Sequence, residues 1–131
     1  SGTEYVPPVA QDVPELMQEF VTELAKSTLH PILLAAFAHR RLVDIHPFKD
    51  GNGRTARLLM NMVLVNKGYQ VVQIPPVLRL EYIQSLTAAQ RSDKPTDAPF
   101  QTLIANCELE SQKEFCRMFH IPIKESPAQE R

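Results

Sequence analysis

The chain has 131 residues, 44% of them hydrophobic, and 14 Lys and Arg against 15 Asp and Glu give a formal net charge of -1. This length fits one domain with its own core. The balanced charge gives no indication of nucleic acid or of an anionic membrane as a partner. No apolar run approaches the roughly 20 residues of a membrane span, and the N-terminus lacks the basic-then-apolar pattern of a secretion signal. We therefore expect a soluble, cytoplasmic domain with no nucleic acid and no membrane among its partners.

The N-terminal segment is predicted to be extended, as a strand or an arm, because residues 1–11 contain two adjacent prolines and few core-forming side chains. A first helix is expected to follow. Asp12 stands at an N-cap position with Glu15 three residues later, which predicts a capping box. The apolar residues of this helix recur at helical spacing and are Leu16, Phe20, Val21 and Leu24.

The second predicted helix begins at Pro31 and stops before His46 and Pro47. Because it is apolar around most of its circumference, we expect it at the centre of an all-helical domain. A third helix is predicted from Asn52 to Lys67, with Gly68 as its C-terminal stop. The residues expected to pack its core face are Leu58, Leu59, Met62, Val63 and Val65.

Two more helices are predicted, from about Val77 to Ala89 and from Phe100 to Phe119, with a turn-forming stretch between them. Cys107 and Cys116 lie nine residues apart in the last helix and point to nearly opposite sides at about 100° per residue. They should not bridge each other, and free thiols fit a reducing compartment. Five helices with almost no period-two alternation predict an all-α fold.

The turn HPFKDGNGRTAR, from His46 to Arg57, joins the second and third predicted helices. Gly51, Asn52 and Gly53 begin a helix, where backbone N–H groups are unpaired and the helix dipole adds about half a positive charge. Because glycines let a phosphate approach the backbone closely, this helix start is predicted to bind phosphate.

Two arginines follow in the first two turns of the same helix. Arg54 and Arg57 are three residues apart, so they lie about 60° apart around the helix and can grip one polyphosphate together. Asp50, just before the glycines, would repel phosphates if it stood alone. A carboxylate beside a diphosphate is, however, a usual ligand of Mg²⁺. The pattern predicts binding of a nucleotide with Mg²⁺.

His46 is the predicted general base, because a histidine side chain titrates near neutral pH and can accept a proton from an attacking hydroxyl. Phe48 is expected to turn inward and anchor the loop. Taken singly, these residues are ordinary features of turns, helix ends and solvated surfaces. Together they predict phosphoryl or nucleotidyl transfer, in which positioning and charge neutralisation supply most of the catalysis.

The same twelve residues match every specified position of HxFx[DE]GNGRxxR, the signature of Fic domains. The resemblance extends to YVPPVAQDVPELMQEF before the motif and LLMNMVLVNKGY after it, and more loosely to ESQKEFCRMFHIP. It implies an all-α, Fic-type helical bundle with a small extended or β-hairpin flap near the N-terminus. Residues 1–131 would form one Fic domain, with the flap region at 1–11, the helical core at 12–120 and a tail at 121–131.

The resemblance also implies an activity. Fic enzymes move AMP from ATP onto a Ser, Thr or Tyr hydroxyl of a protein and release pyrophosphate, a post-translational modification, and the chain itself is one candidate target. By similarity His46 would be the base and Asp50 would bind Mg²⁺. The anion hole and the grip on the β- and γ-phosphates would come from Gly51, Asn52, Gly53, Arg54 and Arg57.

Contacts outside the motif are carried over from the family with less sequence support. Tyr5, Val6 and Pro7, within Glu4 to Pro8, lie where one side of the target-binding flap belongs, and the alternative is a disordered arm. Tyr82 and Gln90 occupy positions from which relatives contact the nucleoside, with Gln90 where an Asn is familiar. Tyr82 is equally compatible with a core aromatic whose hydroxyl reaches the surface.

The chain departs from the family in lacking the inhibitory [ST]xxxE[GN] pattern. We therefore expect either the C-terminal portion of a longer Fic protein or a minimal form, with an inhibitory helix or an antitoxin supplied by the missing part or in trans. Three alternative functions stay open. Transfer of phosphate or phosphocholine is disfavoured by Gly51, since relatives with that chemistry carry Lys there. Removal of AMP needs the absent inhibitory Glu. A silent nucleotide-binding or scaffold module is disfavoured by the intact His46.

Overall fold

The structure is a computed structural model that describes residues 5–124. These residues form five α-helices and no β-strand, which confirms the predicted all-α fold. The helices are α1 (Val13–Lys26), α2 (Pro31–Ile45), α3 (Asn52–Asn66), α4 (Arg79–Ala89) and α5 (Ala98–Met118), and short 3₁₀ turns at Ala10–Asp12 and Pro76–Leu78 precede α1 and α4. Part of the predicted flap, including Glu4, and the tail from residue 125 onward lie outside the described range.

Helix α2 is the central element, as its apolar composition predicted. It packs most extensively against α3 and also contacts α1 and α5. Small residues at Ala35 and Ala38 are fully buried, so neighbouring helices approach α2 closely on more than one side. The C-terminal end of α2 and the N-terminal end of α3 are thereby held beside each other, which fixes both ends of the loop between them.

Two clusters of buried side chains flank α2. One joins α2 and α3 to α5 and includes Met60, Phe100 and Ile104, with Tyr82 of α4 packed against its edge. The other joins α1 to the end of α2 and the start of α3, through Phe20 and Ala56. Ile45, just before the loop between α2 and α3, and Ala56, just after it, both belong to the second cluster, so that cluster anchors both ends of the loop.

The prediction for the core face of α3 was wrong in part. Leu58, Met62 and Val65 are each more than half exposed, whereas Leu59 and Val63 are partly buried against the cores. The fully buried positions are Ala56, Met60 and Leu64. Because α3 is apolar on two faces, its sequence pattern does not reveal which face meets α2, and the fold selects the one spaced every four residues.

The predicted capping box at Asp12 is also absent. Asp12 has helical backbone angles within the 3₁₀ turn, its side chain makes no capping hydrogen bond, and its N–H donates to Val9 O at 3.0 Å. A capping side chain requires a non-helical backbone at that residue, so the 3₁₀ turn removes this role.

The expected C-terminal stop of α3 and the expected free cysteines are both found. Gly68 ends α3 with a φ of +85°, and Cys107 and Cys116 are both unbridged. No helix within residues 5–124 is both long enough and apolar enough to cross a membrane.

Candidate active site

His46 terminates α2 in an unusual backbone conformation. Its φ of 55° and ψ of 57° are left-handed, and its N–H donates to Leu42 O at 3.0 Å. A left-handed residue other than glycine costs about 1–2 kcal/mol, so the surrounding fold must hold it there. The following Pro47 prevents the helix from continuing. As a result the imidazole of His46 is exposed at the mouth of the loop.

The loop between α2 and α3 is closed by the side chain of Asn52, which is only 7% exposed. Its Oδ1 accepts a hydrogen bond from Phe48 N–H at 2.9 Å, and its Nδ2 donates to Phe48 O at 2.8 Å. The prediction that the Phe48 ring anchors the loop is wrong, because that side chain is 47% exposed. The Phe48 backbone is the anchor. Because the Asn52 side chain is engaged with it, Asn52 can offer an anion only its backbone N–H.

The start of α3 presents a cluster of backbone donors. Gly51 has a φ of +81°, and its N–H donates to Asp50 Oδ1 at 2.8 Å. The first helical hydrogen bond runs from Thr55 N–H to Gly51 O at 3.0 Å. The N–H groups of Asn52, Gly53 and Arg54 have no acceptor among the described residues, as expected for the first turn of a helix. This geometry can receive an anion.

The two motif arginines fold back over this helix start. A Cβ atom added to Gly53 would lie 3.3 Å from Arg57 Nη1, and one added to Gly51 would lie 3.5 Å from Arg54 Nη2. Neither arginine forms an ion pair within residues 5–124. Two guanidinium groups without a counter-charge among these residues therefore border the free N–H groups. They fit there because Gly51 and Gly53 have no side chains in that space.

Asp50 is exposed and is the only carboxylate of the loop. The structure contains no group of three or more His, Cys, Asp or Glu side chains that could hold a metal ion in the part of the chain it describes. A metal at Asp50 would therefore need most of its ligands from a bound molecule or from water.

Arg57 is connected to a buried histidine through Tyr82. Arg57 Nη1 donates to the Tyr82 hydroxyl at 3.2 Å, and the same hydroxyl lies 2.8 Å from His39 Nε2. The hydroxyl of Tyr82 is thus turned inward, so the alternative that placed it at the surface is wrong. Burial raises the pKa of Tyr82, while the hydrogen bond and the charge of Arg57 lower it.

His39 was missed by the sequence interpretation. Its side chain is 0% exposed, and burial, followed by the positive charge of Arg57, lowers its pKa to about 4. It is therefore neutral at pH 7. The sequence contained one indication that His39 lies near the site. It precedes His46 by seven residues, about two helical turns, and so lies on nearly the same side of the helix.

A second polar network lies under the end of α2. Asp44 Oδ2 accepts from Arg40 Nη1 at 2.6 Å, and Asp44 Oδ1 accepts from Gln90 Nε2 at 2.9 Å. Arg40 Nε in turn pairs with Asp97 Oδ1 at 2.7 Å. Burial raises the pKa of Asp44, and its hydrogen bonds with Gln90 and Arg40 oppose that rise. Gln90 is thereby fixed beside the last turn of α2.

The N-terminal arm reaches the same place. The Tyr5 hydroxyl donates to the backbone oxygen of Asp44 at 2.6 Å, which docks the arm two residues before His46. Residues 5–9 belong to no helix or strand, and Val6 and Pro7 are exposed. The extended form of the predicted flap is compatible with this placement, while a hairpin partner for it would have to involve residues outside 5–124.

Comparison with known proteins supports the resemblance carried by the motif. The family model of the Fic/DOC family matches residues 1–64. A curated relative from Drosophila sechellia, named Protein adenylyltransferase Fic, is 47% identical over 106 residues, which are 79% of this chain and 21% of the relative. The chain thus spans about a fifth of the length of the curated relatives it matches.

Solved structures give the same result for the fold. Residues 134–508 of Fic-1 from C. elegans match with a TM-score of 0.77 and 36% identity, over 92% of this chain and 38% of that one. A Fic domain-containing signaling protein from Bacteroides thetaiotaomicron matches with a TM-score of 0.77 and 28% identity, over 93% of this chain and 52% of that one. With the complete motif and an all-helical fold, these matches show that the chain belongs to the Fic/DOC family.

Proposed function

We propose that this chain carries the catalytic part of a protein adenylyltransferase, which transfers AMP from ATP to a Ser, Thr or Tyr hydroxyl of a protein and releases pyrophosphate. The observation that carries the proposal is the single loop-helix unit that holds an exposed histidine, free backbone donors and two arginines with no ion pair among residues 5–124. The names of the curated relatives favour AMP as the transferred group.

The helix start and the arginines would bind the nucleotide phosphates. In the anion hole formed by Gly51, Asn52 and Gly53, the free backbone N–H groups of Asn52 and Gly53 would donate hydrogen bonds to phosphate oxygens, and the helix dipole would favour the negative charge. Arg54 and Arg57 would hold the β- and γ-phosphates, because planar guanidinium groups match phosphate oxygens in pairs.

Asp50 is the residue that would hold Mg²⁺. Mg²⁺ in nucleotide enzymes is commonly bound by one or two carboxylates together with the substrate phosphates and water. One exposed carboxylate beside the phosphate-binding turn fits a metal that arrives with ATP, and it does not fit a permanent metal site. When bound, Mg²⁺ would neutralise charge on the phosphates.

His46 would act as the general base. It would accept the proton of the target hydroxyl while that oxygen attacks the α-phosphorus. The bond from the α-phosphorus to the oxygen bridging to the β-phosphate breaks, and pyrophosphate leaves with its charge held by the two arginines. No nucleophile of the enzyme takes part, so AMP passes directly to the target.

The remaining contacts come from residues outside the motif. The hydroxyl of Tyr82 and the amide nitrogen of Gln90 are already engaged, so a nucleoside would meet the ring of Tyr82 and the carbonyl oxygen of Gln90. Tyr5, Val6 and Pro7 would align the target protein, and this arm is docked near His46. An acidic residue from an inhibitory helix or an antitoxin would pair with Arg57, which has no ion pair among the described residues.

Intact-mass spectrometry tests the proposal. The purified chain is incubated with ATP and Mg²⁺, alone and with cell lysate, beside a His46→Ala control. We expect a mass gain of one AMP on the chain or on a lysate protein, absent from the control. A gain of one phosphate would overturn the assigned product, and no gain despite ATP binding would contradict the enzymatic role of the chain.

A further inference from the structure

The polar chain from Arg57 to Tyr82 to His39 runs from the motif into the protein interior. It joins α3, α4 and α2 through one hydroxyl, with Arg57 Nη1 at 3.2 Å and His39 Nε2 at 2.8 Å from the Tyr82 oxygen. Neither His39 nor the Tyr82 hydroxyl has a part in the chemistry described above. A buried polar side chain that is linked directly to a site residue calls for a physical explanation.

Hydrogen-bond donors and acceptors fix the direction of the outer half of this chain. An arginine can only donate, so the Tyr82 oxygen accepts from Arg57. At the inner half, the Tyr82 hydroxyl lies 2.8 Å from His39 Nε2, and a neutral imidazole accepts the hydroxyl proton or donates its own there according to its tautomer. Either tautomer ties the Tyr82 hydroxyl to His39. Burial keeps the imidazole neutral, with its pKa lowered to about 4.

The two rings that hold the hydroxyl are themselves held rigidly. The ring centroids of His39 and Tyr82 are 5.5 Å apart and their planes are perpendicular, and Phe100 of α5 lies against both, at 4.9 Å from His39 and 6.2 Å from Tyr82. His39 and Phe100 are among the fully buried side chains of the protein. The acceptor offered to Arg57 therefore has little freedom to move.

We propose that Tyr82 and His39 are positioning residues, which hold the Arg57 guanidinium over Gly53 so that it meets the terminal phosphates of ATP. This inference rests on the proposed function. It adds that Arg57 is held in its phosphate-binding position before ATP binds. The position of Gly53 supports this inference as well, because Arg57 Nη1 lies 3.3 Å from the point that a Cβ atom of Gly53 would occupy. A long, flexible arginine loses less entropy on binding when it is already oriented.

The test is a Tyr82→Phe variant, which removes the hydroxyl and keeps the ring. Affinities for ATP and for AMP are measured by calorimetry in the wild type, Tyr82→Phe, Arg57→Ala and the double variant. We expect Tyr82→Phe to weaken ATP binding by about two- to tenfold, the range of one hydrogen bond. AMP affinity should not change, because AMP lacks the phosphates that Arg57 is proposed to hold. In the Arg57→Ala background Tyr82→Phe should have no further effect.

A matched control is available in the same protein. Tyr69 also places its hydroxyl near a histidine, at 3.5 Å from His30 Nε2, but it lies past the opposite end of α3. Tyr69→Phe should leave ATP and AMP affinity unchanged. A second variant, His39→Gln, tests the inner half of the chain and should reproduce the ATP-selective loss.

Each other outcome overturns the inference in a distinct way. An equal loss of ATP and AMP affinity in Tyr82→Phe would make the hydroxyl a nucleoside contact. A loss that persists in the Arg57→Ala background would show that the hydroxyl acts independently of Arg57. If Arg57→Ala weakens ATP binding and Tyr82→Phe does not, positioning is refuted while the proposed function stands. If the wild type binds no ATP, both fail together.

Discussion

His39, within α2, and His46, which follows the last residue of that helix, lie seven residues apart and have opposite surroundings. His39 is 0% exposed, lies between Tyr82 and Phe100, and its pKa is lowered to about 4. His46 is exposed and holds a left-handed backbone at the helix end. Histidine therefore occupies a closely packed interior position in one case and an exposed loop position in the other.

This difference separates two physical tasks. A buried, neutral imidazole can orient a neighbour but cannot exchange protons readily with solvent or with a substrate. An exposed imidazole at the mouth of the loop that we propose to bind phosphate can accept a proton from a bound hydroxyl. The interior region should therefore govern stability and the placement of Arg57, and the loop should govern chemistry.

The largest stability effect should come from the interior histidine through pH. Unfolded His39 binds a proton near pH 6.5 and folded His39 only near pH 4. Between these values the unfolded chain binds more protons, so stability is fully present above about pH 6.5 and falls as the pH drops toward 4. The expected loss is about 3 kcal/mol.

Urea unfolding at several pH values between 7 and 4 measures this loss. His39→Gln serves as the control, because it lacks the titrating group and should lose less stability over the same interval. Asp44, whose pKa is raised by burial, contributes in the opposite direction, but it is present in both proteins and cancels from the difference. Parallel pH profiles for the two proteins would mean that His39 is not held neutral.

The next effect concerns the loop itself. Asn52→Ala should lower the free energy of unfolding by about 1–3 kcal/mol, because it removes both hydrogen bonds to the Phe48 backbone and leaves those groups unpaired. Asn52→Asp keeps an acceptor for the Phe48 N–H and places a carboxylate oxygen against Phe48 O. A comparison of the two variants therefore measures the contribution of each hydrogen bond. If both variants had the same free energy of unfolding in urea as the wild type, other contacts would have to close the loop.

A smaller effect is expected from the left-handed glycine at the start of α3. Gly51→Ala should cost about 1–2 kcal/mol, because its φ of +81° is strained for any other residue. Gly68→Ala is a matched control, with a φ of +85° and no atom within 4 Å of an added Cβ. Thermal unfolding should show similar losses, whereas calorimetry should show weaker ATP binding for Gly51→Ala alone. Weaker ATP binding in both variants would contradict a local role for Gly51.

The smallest effect should follow from Phe48→Ala. Since this ring is 47% exposed, its removal should cost at most about 1 kcal/mol, well below the about 3–5 kcal/mol typical of a buried phenylalanine. Phe100→Ala provides that buried reference, at 1% exposure. A loss for Phe48→Ala as large as that for Phe100→Ala, measured by urea unfolding, would restore the ring as the loop anchor.

Local signals in the sequence were enough for the helices and for the loop between them. Pro31, Pro47 and Gly68 mark the ends of helices, because each restricts or frees the backbone in a specific way. The motif residues also follow one another along the chain, so the turn brings them together without help from the rest of the fold. The sequence therefore predicted the five helices and the cluster of donors at the start of α3.

Contacts between distant residues were not predictable in this way. The Tyr82 hydroxyl meets His39 across 43 residues, and Gln90 meets Asp44 across 46. No local pattern encodes such a pairing, since it depends on how α4, packed on α5, is placed beside α2. The buried face of α3 escaped prediction for a related reason, because two of its faces are apolar and only the packed structure decides between them.

The most direct test applies the same substitution to both histidines. His46→Gln and His39→Gln are each measured for ATP affinity and for the rate of AMP incorporation at saturating ATP. We expect His46→Gln to slow transfer by about 10²–10⁴-fold with unchanged ATP affinity, whereas His39→Gln should weaken ATP binding and keep most of the transfer rate. Loss of transfer at saturating ATP in His39→Gln, or full transfer in His46→Gln, would contradict this expectation.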